Sequence, residues 1–179
     1  MKLSNPNDKI TFDTNALKTI YLAGGCFWGV DAYMKRVKGV YETESGYANG
    51  NLDIPNPTYE EVYKDHTGYV EVVRVVYDTT KVKLERVLKE FFDIFDPTTL
   101  NRQAGDIGTR YRSGVYYIDE DDKVIIESLI KAAQFKYKDP IVTEVLPLEN
   151  YYSAEEYHQN YLEKNPDGYC HVDLSKYKT

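Results

Sequence analysis

Basic charge is what this 179-residue chain has least of: 22 Lys and Arg face 29 Asp and Glu, a formal charge of −7. That deficit argues against general affinity for nucleic acid or anionic membrane. Long apolar runs are missing too. The longest uncharged stretch, Thr19 to Val30, carries three glycines and falls short of the roughly 20 residues needed to cross a bilayer. The opening MKLSNPNDKITFDTNALK has no apolar core of a secretory signal, so a cytoplasmic protein with no membrane or nucleic-acid partner is expected. With only two cysteines, Cys26 and Cys170, a disulfide-dense scaffold is excluded. The three histidines, His66, His158 and His171, show no metal-ligand spacing, and Cys170-His171 with His158 lacks a fourth ligand. No metal is expected. Internal repeats, low-complexity runs and the Gly-rich phosphate fingerprint of a dinucleotide fold are all absent.

What the chain does have is tyrosine, 18 against 6 Phe and 1 Trp, which suits a surface or cleft needing apolar bodies with polar tips. Its length fits one domain able to bury roughly 70% of its unfolded surface. Strands are expected at Lys18 to Ala23, Val40 to Tyr47, Tyr69 to Tyr77, Val115 to Ile118 and Ile141 to Leu146. Helical spacing appears from Cys26 onward, from Leu84 to Phe95 and from Asp121 to Phe135. Ser153-x-x-Glu156 reads as a capping box opening a last helix to Lys164. The mixture predicts an α+β two-layer sandwich with a mostly antiparallel sheet.

Cys26 lies where a strand meets a helix, between Gly25 and Gly29. A helix N-terminus stabilises an anion, so a lowered thiol pKa is expected there; the alternative is an ordinary buried cysteine. Phe27 and Trp28 could wall a pocket for a methyl or a sulfur-bearing ligand, or simply pack in the core. In the run from Tyr69 to Tyr77, alternation puts Glu71 on one face with Tyr69, Val73, Val75 and Tyr77. A carboxyl on an apolar face is costly to ionise, and a protonated Glu near neutral pH is what a general acid requires. On an exposed face the same Glu would be solvated. Asp106 and Tyr111 fall in the polar loop Asp96 to Ser113, whose arginines suggest anion binding but have no phosphate cradle. Cys170, near the C-terminus, is either half of a structural disulfide, which would add about 5 kcal/mol, or a resolving thiol on a flexible arm.

Gly25 to Asp31, GCFWGVD, closely resembles the signature of the type A peptide methionine sulfoxide reductases. SGYANG, NPTYEEV, TGYVEVV, DPTTLNRQ, GDIGTRYRS and HQNYLEKNPDGYC follow in the order of that family, so the resemblance spans Leu22 to Cys170. It implies a ferredoxin-like core, an N-terminal extension at 1–17, a catalytic domain at 18–164, and a segment at 165–179 carrying the recycling cysteine. It also implies a nucleophile at Cys26, a methyl-binding wall at Phe27 and Trp28, and an acid at Glu71. Tyr59, Asp106 and Tyr111 would be hydrogen-bonding companions of that acid, and Cys170 the recycling thiol. Substrates would be oxidised proteins and free methionine-S-sulfoxide, the reductant thioredoxin, the bound cofactors none, and the working form a monomer. Asp31, Tyr63, Tyr69 and Ala104-Gly105 depart from the commonest pattern. A thiol peroxidase, a non-catalytic redox module and, more weakly, a cysteine hydrolase are the competing classes.

Overall fold

A computed structural model describes residues 4–175. Its strands are β1 (Leu17–Gly24), β2 (Val40–Ala48), β3 (Val70–Asp78), β4 (Arg102–Gln103), β5 (Asp106–Ile107), β6 (Ser113–Tyr117), β7 (Glu144–Pro147) and β8 (Tyr151–Ser153). The α-helices are α1 (Phe27–Met34), α2 (Tyr59–Tyr63), α3 (Leu84–Phe92), α4 (Glu120–Ala133) and α5 (Tyr161–Lys164). Six strands form one sheet in the order β7-β6-β1-β3-β2-β8, and β4 and β5 make a separate hairpin. Every pairing in the large sheet is antiparallel except β6 with β7. The inner four strands, with α1 and α3 as crossovers, are two βαβ units interleaved, the ferredoxin-like arrangement.

β3 lies centrally because five of its nine residues are valine, spread over both faces, leaving both faces to be buried. Val73, Val75 and Tyr77 face the main core with Val30 and Met34 of α1, Val87, Leu88 and Phe91 of α3, and Ile126 of α4. Val70 and Val72 face a smaller cluster with Tyr21, Ala23 and Tyr116, which Leu148 and Tyr151 help cover. Each such side chain contributes about 1.5–3 kcal/mol when fully buried, so the helix-covered face dominates stability. α4 starts where the Asp119 side chain accepts the Asp121 N–H at 3.0 Å, with three acidic residues in its first turn.

Two elements differ from the sequence expectation. Ser153 opens no helix: it ends β8, pairs with Gly46, and its hydroxyl donates to Glu44 at 2.7 Å. After it the chain makes one 3-10 turn at Glu156–His158, and Asn160 takes a left-handed conformation (φ 52°) before the short α5. The capping box is instead at α2, where Thr58 Oγ1 accepts the Glu61 N–H at 3.2 Å and Glu61 returns the bond to the Thr58 N–H at 3.0 Å. α3 also stops at Phe92, three residues early, although Phe95 stays in the core against Phe91.

Candidate active site

The register between β1 and β3 runs as far as Leu22 opposite Val73, and the site occupies the end of the sheet just beyond. There β1 gives way to Gly25, whose φ of +90° suits glycine. A Cβ on Gly25 would lie 2.7 Å from the Gln103 side chain. Gln103 is buried and bridges Asp96, accepting its N–H at 2.9 Å and donating to its carbonyl at 2.6 Å. The polar loop after α3 is thus folded around Gln103 and docked on the turn before Cys26. Cys26 is the N-cap of α1, and α1 leaves over the main core.

Glu71 is cross-strand neighbour to Tyr47 and only 2% exposed. Its Oε1 accepts the backbone N–H of Phe27 at 3.1 Å, which ties the carboxyl to the residue after Cys26. Burial pushes the Glu71 carboxyl up to about 8, against the opposing pull of the Phe27 N–H and the Arg110 cation. The alternation reading of Glu71 therefore holds: its carboxyl is predominantly protonated at pH 7.

Cys26 differs from its expectation. Burial first, and the charge of Glu71 second, push its thiol well above the ordinary value, and the Trp28 N–H pulls back only in part. Magnitudes explain the outcome. A helix N-terminus stabilises an anion by about 0.3–1 kcal/mol, up to ~2 in favourable geometry. Full desolvation moves a group by up to 3–5 pKa units, roughly 4–7 kcal/mol.

The other sequence candidates converge on this pair. Tyr59, at the start of α2, is half-buried, and burial followed by the charge of Glu71 raises its hydroxyl to about 12. Tyr111, in the 3-10 turn before β6, is buried and pushed up by the same two causes. Asp106 acts electrostatically on both Cys26 and Glu71. Its Oδ2 accepts the Tyr169 hydroxyl at 3.1 Å. Trp28 stacks face to face on Tyr161 at 3.7 Å and donates its indole N–H to His158 Nδ1 at 3.0 Å. Phe27 is buried between Tyr47 and His158, with ring centroids at 5.8 and 5.1 Å.

Cys170 approaches from the C-terminal segment. Its thiol sits 2.9 Å from where a Cβ on Gly29 would be, so the segment lies directly on the first turn of α1. His171 Nε2 meets the Gly24 carbonyl at 2.9 Å, and Val172 and Leu174 insert into the main core. Both cysteines are thiols.

Four residues around the site were not singled out from sequence as working parts of it: Gln103, Arg110, Glu155 and His158. Glu155 receives the Tyr47 hydroxyl at 2.9 Å and the Tyr59 N–H at 3.0 Å, joining β2 to α2. The signal that could have found them is the tyrosine excess, since buried phenols need polar partners. Of the atypical positions, Asp31 is fully engaged, accepting from Thr43 at 2.6 Å and pairing with Lys35 at 2.9 Å. Tyr69 donates to the Ile54 carbonyl at 2.6 Å and so pins the loop before α2.

A protonated thiol beside a protonated carboxyl suits a reaction in which sulfur attacks while an oxygen receives a proton, and a second thiol nearby lets the first be regenerated. That combination defines a thiol-dependent oxidoreductase. The chain belongs to the peptide methionine sulfoxide reductase family, whose model, described as "Peptide methionine sulfoxide reductase", matches residues 18–179. It is 55% identical over 157 residues to the peptide methionine sulfoxide reductase MsrA of Clostridium acetobutylicum, covering 87% of this chain and 95% of that one. To the MsrA of Alkaliphilus metalliredigens it is 54% identical over 158 residues, covering 88% and 99%. Among solved structures, reduced Mxr1 from Saccharomyces cerevisiae superposes with a TM-score of 0.84 at 36% identity, covering 97% of each chain. The same yeast protein in complex with Trx2 gives 0.59 at 26% identity, covering 86% of this chain and 90% of that one.

Proposed function

We propose that this chain is a peptide-methionine (S)-S-oxide reductase acting on oxidised methionine in proteins and on the free S-sulfoxide. The observation that carries the reading is the buried Glu71 carboxyl, held near 8 and tied through the Phe27 N–H to the residue beside Cys26. The substrate methyl rests against Trp28 and Phe27. Cys26 sulfur attacks the sulfoxide sulfur, Glu71 protonates the sulfoxide oxygen, and the Tyr59 and Tyr111 hydroxyls donate hydrogen bonds to it. Methionine leaves, the oxygen remains on Cys26 as sulfenic acid, and the thiol proton returns to Glu71. The pair neither gains nor loses a proton overall. Cys170 then displaces the oxygen as water, forming a Cys26–Cys170 disulfide. Thioredoxin, the kind of partner seen on the yeast neighbour, reduces that disulfide.

In this reading residues 18–164 are the catalytic domain and 165–179 the recycling segment, with 1–17 an extension. The chain works as a monomer without a bound cofactor. None of the helices among the described residues is long and apolar enough to cross a membrane. Two free thiols suit the reducing cytoplasm. The deciding test is turnover of the two methionine sulfoxide epimers with thioredoxin present. Consumption of the S epimer alone is expected; equal rates on both would overturn the assignment, and turnover of peroxide in place of sulfoxide would favour a thiol peroxidase.

A further inference from the structure

Arg110 is a buried cation that the reaction scheme does not use. Only 8% exposed, it lies with its guanidinium carbon 4.3 Å from the Tyr63 ring centroid and 4.4 Å from that of Tyr111. Its Nη1 is 3.3 Å from Asp65 Oδ1, and the backbone N–H groups of Thr109 and Arg110 also bond the Asp65 carboxylate, at 3.1 and 3.3 Å. Two pieces of chain therefore fix one guanidinium: the end of α2 with Asp65 just beyond it, and the turn before β6. Its Nε is buried with no hydrogen-bond partner among the described residues. A cation clamped by two ring faces and one shared carboxylate keeps a field that reaches its surroundings.

Glu71 is in that field: the turn Thr109–Tyr111 that carries Arg110 packs against β3, and the Arg110 cation pulls on the Glu71 carboxyl. Around Glu71 stand Cys26 and the Phe27 N–H from α1, Tyr47 from β2, Tyr59 from α2, Asp106 from β5 and Tyr111 from the turn. Apart from Arg110, these groups are neutral or acidic. Around Arg110 itself stand Asp65, Tyr63, Tyr111, Tyr59 and Glu71.

We propose that Arg110 is a positioning residue: clamped between Tyr63 and Tyr111, it fixes a positive charge beside Glu71 and so sets the pH range over which sulfoxide is reduced. The proposal rests on Glu71 being the acid. A neighbouring cation favours the ionised form of a carboxyl, so its removal raises the pKa of Glu71. In Arg110→Gln, the pH profile of single-turnover sulfoxide reduction should move upward by about half a unit to one unit. The 13C carboxyl titration of Glu71 should move upward by a similar amount. Arg110→Lys, which keeps the charge, should restore most of both shifts. A folded Arg110→Gln whose Glu71 titration stays at the wild-type position overturns the proposal. So does a rate lowered equally at every pH, since that marks a merely structural residue. Glu71→Gln serves as the separate control: if its rate and profile match wild type, the acid reading fails, whereas the carboxyl titration still decides what Arg110 does.

Discussion

Cys26 and Cys170 meet at the same turn of α1 but are held there by different means. Cys26 is fixed at the end of the central sheet, between a strand, a helix and the loop docked by Gln103. Cys170 rides on a segment without regular structure, anchored by the Tyr169–Asp106 bond, the His171–Gly24 bond and the apolar side chains of Val172 and Leu174. The contrast fits the chemistry proposed above. Attack on a sulfoxide needs a nucleophile and an acid in fixed register. Recycling needs a thiol that can advance onto Cys26 and then present a disulfide to an outside reductant.

The largest expected effect removes the partner on the irregular segment. Cys170→Ser should reduce about one equivalent of sulfoxide and then stall with thioredoxin, because Cys26 alone does the first step. Sustained cycling in a quench-flow and steady-state comparison would mean that the two thiols do not divide the work. Next in size is the fixed partner's acid. Glu71→Gln should slow single-turnover reduction by roughly 10²–10⁴-fold, the usual worth of general acid catalysis, with the fold intact because the amide can still accept the Phe27 N–H. The contact between the two regions can be tested with Gly29→Ala. The added methyl would sit 2.9 Å from Cys170 Sγ and from Val172 Cγ2, pushing the segment off α1. Steady-state cycling should fall several-fold while the single-turnover rate holds; the opposite pattern would place the defect in the rigid half.

The smallest effect is on stability. Glu71 titrates near 8 when folded against an ordinary 4.5, so between those values the folded state holds a proton that the unfolded state has lost. Stability contributed through this group is full below about pH 4.5 and declines as pH rises toward 8. Glu71→Gln removes that slope. Denaturant melts should show it equal to wild type at pH 4 and more stable at pH 6, by on the order of 2 kcal/mol.

How legible each part was depended on how far it rests on local pattern. The β3 alternation placed Glu71 on the right face because a central strand permits one register. The start of α1 followed from the Gly25 turn, and the sandwich from the mixture of elements. α2 was missed since five residues cannot display a helical period, although Thr58-x-x-Glu61 has the same form as the box expected at Ser153. At Ser153 the edge of β2 was available for pairing, and tertiary bonding to Gly46 and Glu44 prevailed over a local cap. The acidity of Cys26 was misjudged for a related reason: a helix end is visible in sequence, but the depth at which it is buried is not. Arg110 looked like one of three loop arginines until Tyr63 and Asp65, more than forty positions earlier, were seen around it.

Trp28 is the chain's single indole, pressed against the Tyr161 ring and bonded to His158. Tyr161 begins the stretch of chain that leads into the Cys170 segment. Any rearrangement that shifts Tyr161 alters the ring lying over the indole and so how its excited state is quenched. Tryptophan emission in a stopped-flow cell then reports, without a label, whether α5 moves with the Cys170 segment during the cycle.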